Sequence, residues 1–147
     1  MSILQIISLG NDIVDLYDHD TVYLLNNKKF LKRVFRESEL DYLSQLKIDN
    51  QNIYLWKLWA AKESAYKAIK RLRSDVIFSP RRFYVSSDLA RVNYDDVDFF
   101  VEFKENNRYL HASSYYCFPL YILAANKRAL LFSKQNKVLL ISLSHMR

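Results

Sequence analysis

The chain has 147 residues, of which half are apolar and 15% aromatic, and it carries a formal net charge of +6. This composition excludes a disordered chain and predicts one domain over residues 1–147 with a real buried core. The longest apolar runs, "FPLYILAA", "ALLF" and "VLLI", fall well short of the roughly 20 residues that span a bilayer, so no membrane segment is expected.

The positive balance favours an acidic partner: nucleic acid, an acidic protein or a phosphorylated small molecule. Basic residues gather at Lys28, Lys29, Lys32, Arg33 and Arg36, and again at Lys62, Lys67, Lys70, Arg71, Arg73, Arg81 and Arg82. "MSILQIISLGND" has no basic start and reaches Asp12 quickly, unlike a signal peptide. The single cysteine, Cys117, excludes an internal disulfide and fits a reducing cytoplasm. Gly10 is the only glycine, where average usage would supply about ten. It is therefore expected where a side chain is not tolerated, either at positive φ or under a close backbone approach.

In chain order, "ILQIISLG" predicts a buried strand from Ile3 to Leu9, ended by Gly10. Asn26 or Asn27 can cap a short helix that turns Phe30, Leu31, Val34 and Phe35 inward. "SELD" predicts a second helix with Ser38 as its N-cap, running to about Leu46. "IDNQN" reads as a turn before a long helix over roughly Asn52 to Arg73, with Leu55, Leu58, Ala65, Ile69 and Leu72 on one stripe. After Ser79 and Pro80 the period changes to two, in "RFYVSS", "VDFFVEF", "RYLHASSYY", "PLYILAA", "ALLFS" and "VLLISLS". Strand, helices, then strands predicts an α+β fold, a long helix packed on an antiparallel sheet.

Glu63 lies off the apolar stripe, among Trp56, Trp59, Ala60 and Tyr66, with Lys67 one turn on. Two readings stand side by side. Glu63 and Lys67 have the favoured orientation of an ordinary i,i+4 ion pair, worth about 0.2–0.5 kcal/mol. A carboxylate against such covered surface must alternatively be paired, hydrogen-bonded or bound to a cation, and an adjacent lysine suits a phosphate. A carboxylate and a lysine together suit Mg²⁺ with a phosphorylated ligand. Asp12, after the strand and the only glycine, is the natural second metal ligand or else a turn-stabilising Asp. Asp15 is near enough that one of the two can face a site while the other faces solvent.

Two stretches together carry a resemblance. "GNDIVDL" and "WAAKESAYK", with "FLKRVFRESEL" between them, resemble the ordered signatures of the 4′-phosphopantetheinyl transferases of the holo-acyl-carrier-protein synthase type, over residues 8 to about 70. The resemblance implies Asp12 and Glu63 as Mg²⁺ ligands, Glu63 and Lys67 as catalytic groups, and Lys67 and Lys62 at the coenzyme. "SLSH" is similar to a later strand end of the family, which adds Ser144 and His145 as coenzyme contacts, with His111 in "LHASS" as a second candidate histidine. The implied reaction moves phosphopantetheine from coenzyme A to a serine of an acidic apo carrier protein, releasing 3′,5′-ADP, in the cytoplasm and in the service of fatty-acid or related synthesis.

The chain departs from the family in three places. "DLYDHD" is acidic where short members carry a basic residue for the carrier, a role Arg33 and Arg36 could take. "KAIKRLRSDVIFSP" replaces a Gly-rich turn. "SLSH" stands two residues from the end of the sequence, so a last strand is expected to be lacking or supplied by a partner. Short family members form trimers, which implies a homo-oligomer in which Asp12 and Glu63 could meet between subunits. Two other readings compete: a family-like protein that binds coenzyme A or a carrier without catalysis, and a small basic nucleic-acid-binding protein with salt-dependent affinity and no use for Mg²⁺. The motif pairing of Asp12 with Glu63 favours no nucleic acid.

Overall fold

The computed structural model describes residues 2–18, 26–125, 128–132 and 138–141, with side chains described for 6–18 and 26–117. Strand β1 (Ser2–Asp15) comes first, followed by helices α1 (Lys28–Val34), α2 (Glu37–Gln45) and α3 (Ile48–Leu72). A 3₁₀ turn (Pro80–Arg82) leads into strands β2 (Phe83–Val85), β3 (Arg91–Tyr94), β4 (Val97–Glu105), β5 (Tyr109–Ala125), β6 (Arg128–Phe132) and β7 (Val138–Ile141). By packing, the chain divides into two compact units, residues 8–116 and residues 1–7 with 117–147.

In the larger unit β2, β3, β4 and β5 pair antiparallel in that order, and β1 pairs with β5. The long helix α3 covers this sheet, giving the α+β architecture. Leu55, Leu58, Ala65 and Ile69 of the stripe are buried against it, while Leu72, the last residue of the helix, is exposed. Each large side chain so covered contributes about 1.5–3 kcal/mol. The sheet supplies Val85, Val92, Phe99, Leu110 and Ala112 from its inner face, one residue in two as the strand period requires. In the smaller unit β5 continues into an antiparallel β5–β6–β7 arrangement.

Several boundaries differ from the sequence expectations, each for a physical reason. β1 does not end at Gly10 but runs through it to Asp15. "IDNQN" is the first turn of α3, with Asp49 near the positive end of the helix and Gln51 Nε2 donating to Leu46 O (3.0 Å). α2 starts after Arg36, not Ser38, because the Arg36 amide donates to the Glu39 carboxylate (2.9 Å). β3 is a strand the reading missed: between polar neighbours it offers only Val92 and Tyr94 to the core. It joins β4 through Asp95, whose φ of 52° is one that Asp tolerates better than most residues. The α1 cap is as read, with Asn27 Oδ1 accepting from Phe30 N (3.0 Å).

One buried ion pair fastens these pieces. Lys62 of α3 is 0% exposed, and its ammonium donates to Glu39 Oε2 (2.8 Å), Phe83 O (2.7 Å) and Pro80 O (3.2 Å). Glu39 also accepts from the amides of Arg36 and Val85. Burial pushes the Lys62 amine down and the Glu39 charge opposes it, so the ammonium persists only while its partner remains. Replacing Lys62 by Met alone strands a buried carboxylate, and a loss of about 3–5 kcal/mol in urea unfolding is expected. Lys62→Met combined with Glu39→Gln removes the stranded charge and keeps an acceptor for one of the two amides, so it should recover part of that loss.

Candidate active site

The site begins at a backbone contact. Gly10 has no positive φ; it is glycine because β1 lies against α3. A Cβ there would stand 2.5 Å from Ala68 N and closer still to Ser64 O. Ser8, two residues earlier on the same face, donates to Ala68 O (2.8 Å). The strand period then turns Ser8, Gly10, Asp12 and Val14 toward the helix, while Leu9, Asn11 and Ile13 are exposed. Asp12 therefore meets the helix one turn of pleat beyond the glycine. Asp15, of opposite parity, lies 3.5 Å from Arg108 and accepts from Tyr17 N.

Asp12 Oδ1 accepts from Lys67 Nζ at 2.8 Å, and Glu63 Oε1 lies 3.6 Å from the same ammonium. The Asp12 side chain is 10% exposed, Glu63 28% and Lys67 41%, so the group opens to solvent on the lysine side. Burial raises the Glu63 carboxyl above its usual range and the Asp12 charge raises it further, against the opposing pull of Lys67. Burial works to lower Lys67, but its hydrogen bond to Asp12 and the two carboxylates together hold it above its usual value. Trp59 and Tyr66, the helical neighbours of Glu63, are half-buried against Phe78, whose ring lies 5.9 and 4.8 Å from theirs; Trp59 also meets Phe30 at 5.9 Å. These contacts stiffen the turns of α3 on either side of Glu63.

The sequence-predicted residues are thus partly gathered. Asp12, Glu63 and Lys67 come together within one chain. Lys62 does not join them: it sits in the buried pair with Glu39, without an exposed donor to offer a ligand. Its place on the helix, inward of Glu63, is the reason. His111 pairs opposite Lys104 on the sheet face away from α3, since Leu110, Ala112 and Ser114 take the inner face. Ser144 and His145 lie outside the described residues. Arg36 is tied to the 3₁₀ turn by Nε donating to Arg81 O (2.8 Å), while Arg33 is exposed. The sequence reading paired Lys67 with Glu63 and missed its shorter bond to Asp12, for which no local signal exists across 55 residues.

Asp12 and Glu63 are the carboxylates that a metal here could use. Among the described residues no group of three or more His, Cys, Asp or Glu side chains comes together. A cation between Asp12 and Glu63 would take two carboxylates from the protein and its other oxygens from water and ligand phosphate, which is how Mg²⁺ is commonly held. Two carboxylates close enough to raise Glu63 also gain from a shared cation. The residues fit Mg²⁺.

Residues 8–117 match the 4′-phosphopantetheinyl transferase superfamily, almost the span of the larger compact unit. The fold is similar to that of a crystal structure of holo-ACP-synthase from Plasmodium yoelii, at 21% identity and a TM-score of 0.54, over 78% of this chain and 96% of that one. No curated protein matches the sequence. No helix among the described residues is long and apolar enough to cross a membrane.

Two outcomes follow from the geometry. Gly10→Ala puts a methyl into the α3 backbone, and a loss of about 1–3 kcal/mol or more is expected in denaturant unfolding, with the Asp12–Lys67 contact displaced. The raised Glu63 carboxyl means that ionising it costs the fold stability, a cost absent at low pH that develops as pH rises through the raised value. Glu63→Gln should therefore melt higher than the parent at neutral pH, with the gap closing as pH falls towards about 4. A gap that persists at low pH would count against this account of Glu63.

Proposed function

The chain belongs to the 4′-phosphopantetheinyl transferase superfamily, and from that premise we propose that it transfers phosphopantetheine from coenzyme A to a serine of an acidic apo carrier protein, as a holo-acyl-carrier-protein synthase. The serine oxygen forms a bond to the pantetheine-side phosphorus, the bond from that phosphorus to 3′,5′-ADP breaks, and the serine proton leaves to a base. The observation that carries this reading is the convergence of Asp12, Glu63 and Lys67 from two separate family motifs onto one half-open site.

Each residue has a chemical task. Asp12 and Glu63 would hold Mg²⁺, which when bound spreads the charge of the pyrophosphate oxygens and orients in-line attack. Lys67 sets a positive charge where negative charge builds on the leaving phosphate. Glu63, beside the reacting phosphate in this reading, is the carboxylate suited to accept the serine proton, directly or through a water. The Trp59–Tyr66–Phe78 wall keeps that carboxylate in place. The exposed cations Lys28, Lys29, Lys32 and Arg33 supply long-range attraction for an acidic carrier. A homo-oligomer remains part of the proposal; Asp12 and Glu63 do not require one, since they meet within a chain.

The test is a transfer assay with the purified protein, Mg²⁺, coenzyme A and an apo acyl carrier protein, read by mass spectrometry. A gain of about 340 Da on the carrier serine is expected, as a covalent modification. Glu63→Gln, Asp12→Asn and Lys67→Met should each lower the rate by about a hundredfold or more. Absence of transfer to a panel of carriers would overturn the catalytic reading.

A further inference from the structure

Lys67 stands where two anionic oxygens converge. Its ammonium is 2.8 Å from Asp12 Oδ1 and 3.6 Å from Glu63 Oε1, so it already serves as the counter-ion of both carboxylates. An ammonium carries no lone pair and cannot join a metal's ligand shell. It is also repelled by a divalent cation a few ångströms away. Resting on the reading above, we infer that Lys67 is an internal placeholder for the metal: cation binding between Asp12 and Glu63 displaces it, and the displaced ammonium becomes the anchor for the incoming polyphosphate.

The balance of charge gives this exchange its direction. Two carboxylates and one ammonium leave the site with a single negative charge, which attracts a cation and repels a phosphate ester. A divalent cation reverses the sign to a single positive charge. The lysine has the freedom the exchange needs. Its side chain is 41% exposed on a four-carbon stem, whereas Asp12 is 10% exposed and is set by the strand contact at Gly10. Metal and polyphosphate binding are therefore coupled through one side chain. The metal frees Lys67 from Asp12, and the phosphate gives the freed ammonium a partner. Each ligand binds more tightly when the other is present.

The experiment measures Mn²⁺ affinity, with Mn²⁺ standing for Mg²⁺, by electron paramagnetic resonance on the parent and on Lys67→Met and Lys67→Gln, each with and without coenzyme A. Because the lysine is exposed, both variants should retain the parent's circular dichroism spectrum. Without coenzyme both variants should bind Mn²⁺ about tenfold more tightly than the parent, the order expected on removing one competing charge. Coenzyme A should tighten Mn²⁺ more in the parent than in either variant. Equal Mn²⁺ affinity in parent and variants would overturn the inference. So would an affinity raised by the same factor with and without coenzyme, which is the result for a lysine that stays on Asp12. Either result leaves the transfer reading standing. A parent that binds no Mn²⁺ even with coenzyme would remove the two-carboxylate metal site as well.

Discussion

The site depends on how closely β1 approaches α3. At Gly10 the strand backbone touches the helix backbone at Ser64 and Ala68, a separation that any Cβ would forbid. That contact fixes two things together: which face of β1 meets the helix, and how far along the helix it does so. Asp12 is then two residues further on the same strand face, and Lys67 lies one residue before the contacted Ala68. A looser strand would leave Asp12 and Lys67 too far apart to bond. In a chain with one glycine, the glycine stands where backbone approach creates the site.

The second constraint is rotational. Lys62 and Lys67 lie five residues apart on α3 and do opposite work. Lys62 is sunk into the interior and held by Glu39 and two carbonyls, and with it the helix cannot turn about its axis without unpairing a buried charge. Glu63, the next residue, is carried 100° round from that anchor onto the half-open side. The translational lock at Gly10 and the rotational lock at Lys62 together aim Glu63 and Lys67 at Asp12. Neither lock touches a ligand. Both lie within the span that matches the family.

The order of elements, the helical stripe and the pairing of Asp12 with Glu63 were legible because periodicity and ordered motifs are local properties of sequence. What escaped was decided by contacts between distant residues. The single glycine could be flagged as special, but only the packed helix shows that close approach, not a turn, requires it. The motif put Lys62 beside Lys67 as a coenzyme ligand; its fate was set by Glu39, 23 residues away, and by the carbonyls of Pro80, which opens the 3₁₀ turn, and Phe83, which follows it. β3 escaped because a four-residue strand with two inward side chains has almost no pattern of its own. "RYLHASSYY" and "PLYILAA" were read as separate strands, yet β5 runs through both from Tyr109 to Ala125.

Glu63 is an acid whose ionised form the fold itself disfavours. It is half-buried, it faces Asp12, and its ionised form is disfavoured on both counts. The nearest ammonium is bonded to Asp12 and reaches Glu63 only at 3.6 Å, so one lysine is asked to compensate two carboxylates. An apolar or amide side chain would relieve the repulsion and still pack beside Trp59 and Tyr66. Retention of an acid in that place makes physical sense if the missing compensation comes from outside the chain, and a cation shared with Asp12 is the simplest source. Strain of that kind is what a cation bound between the two carboxylates would relieve.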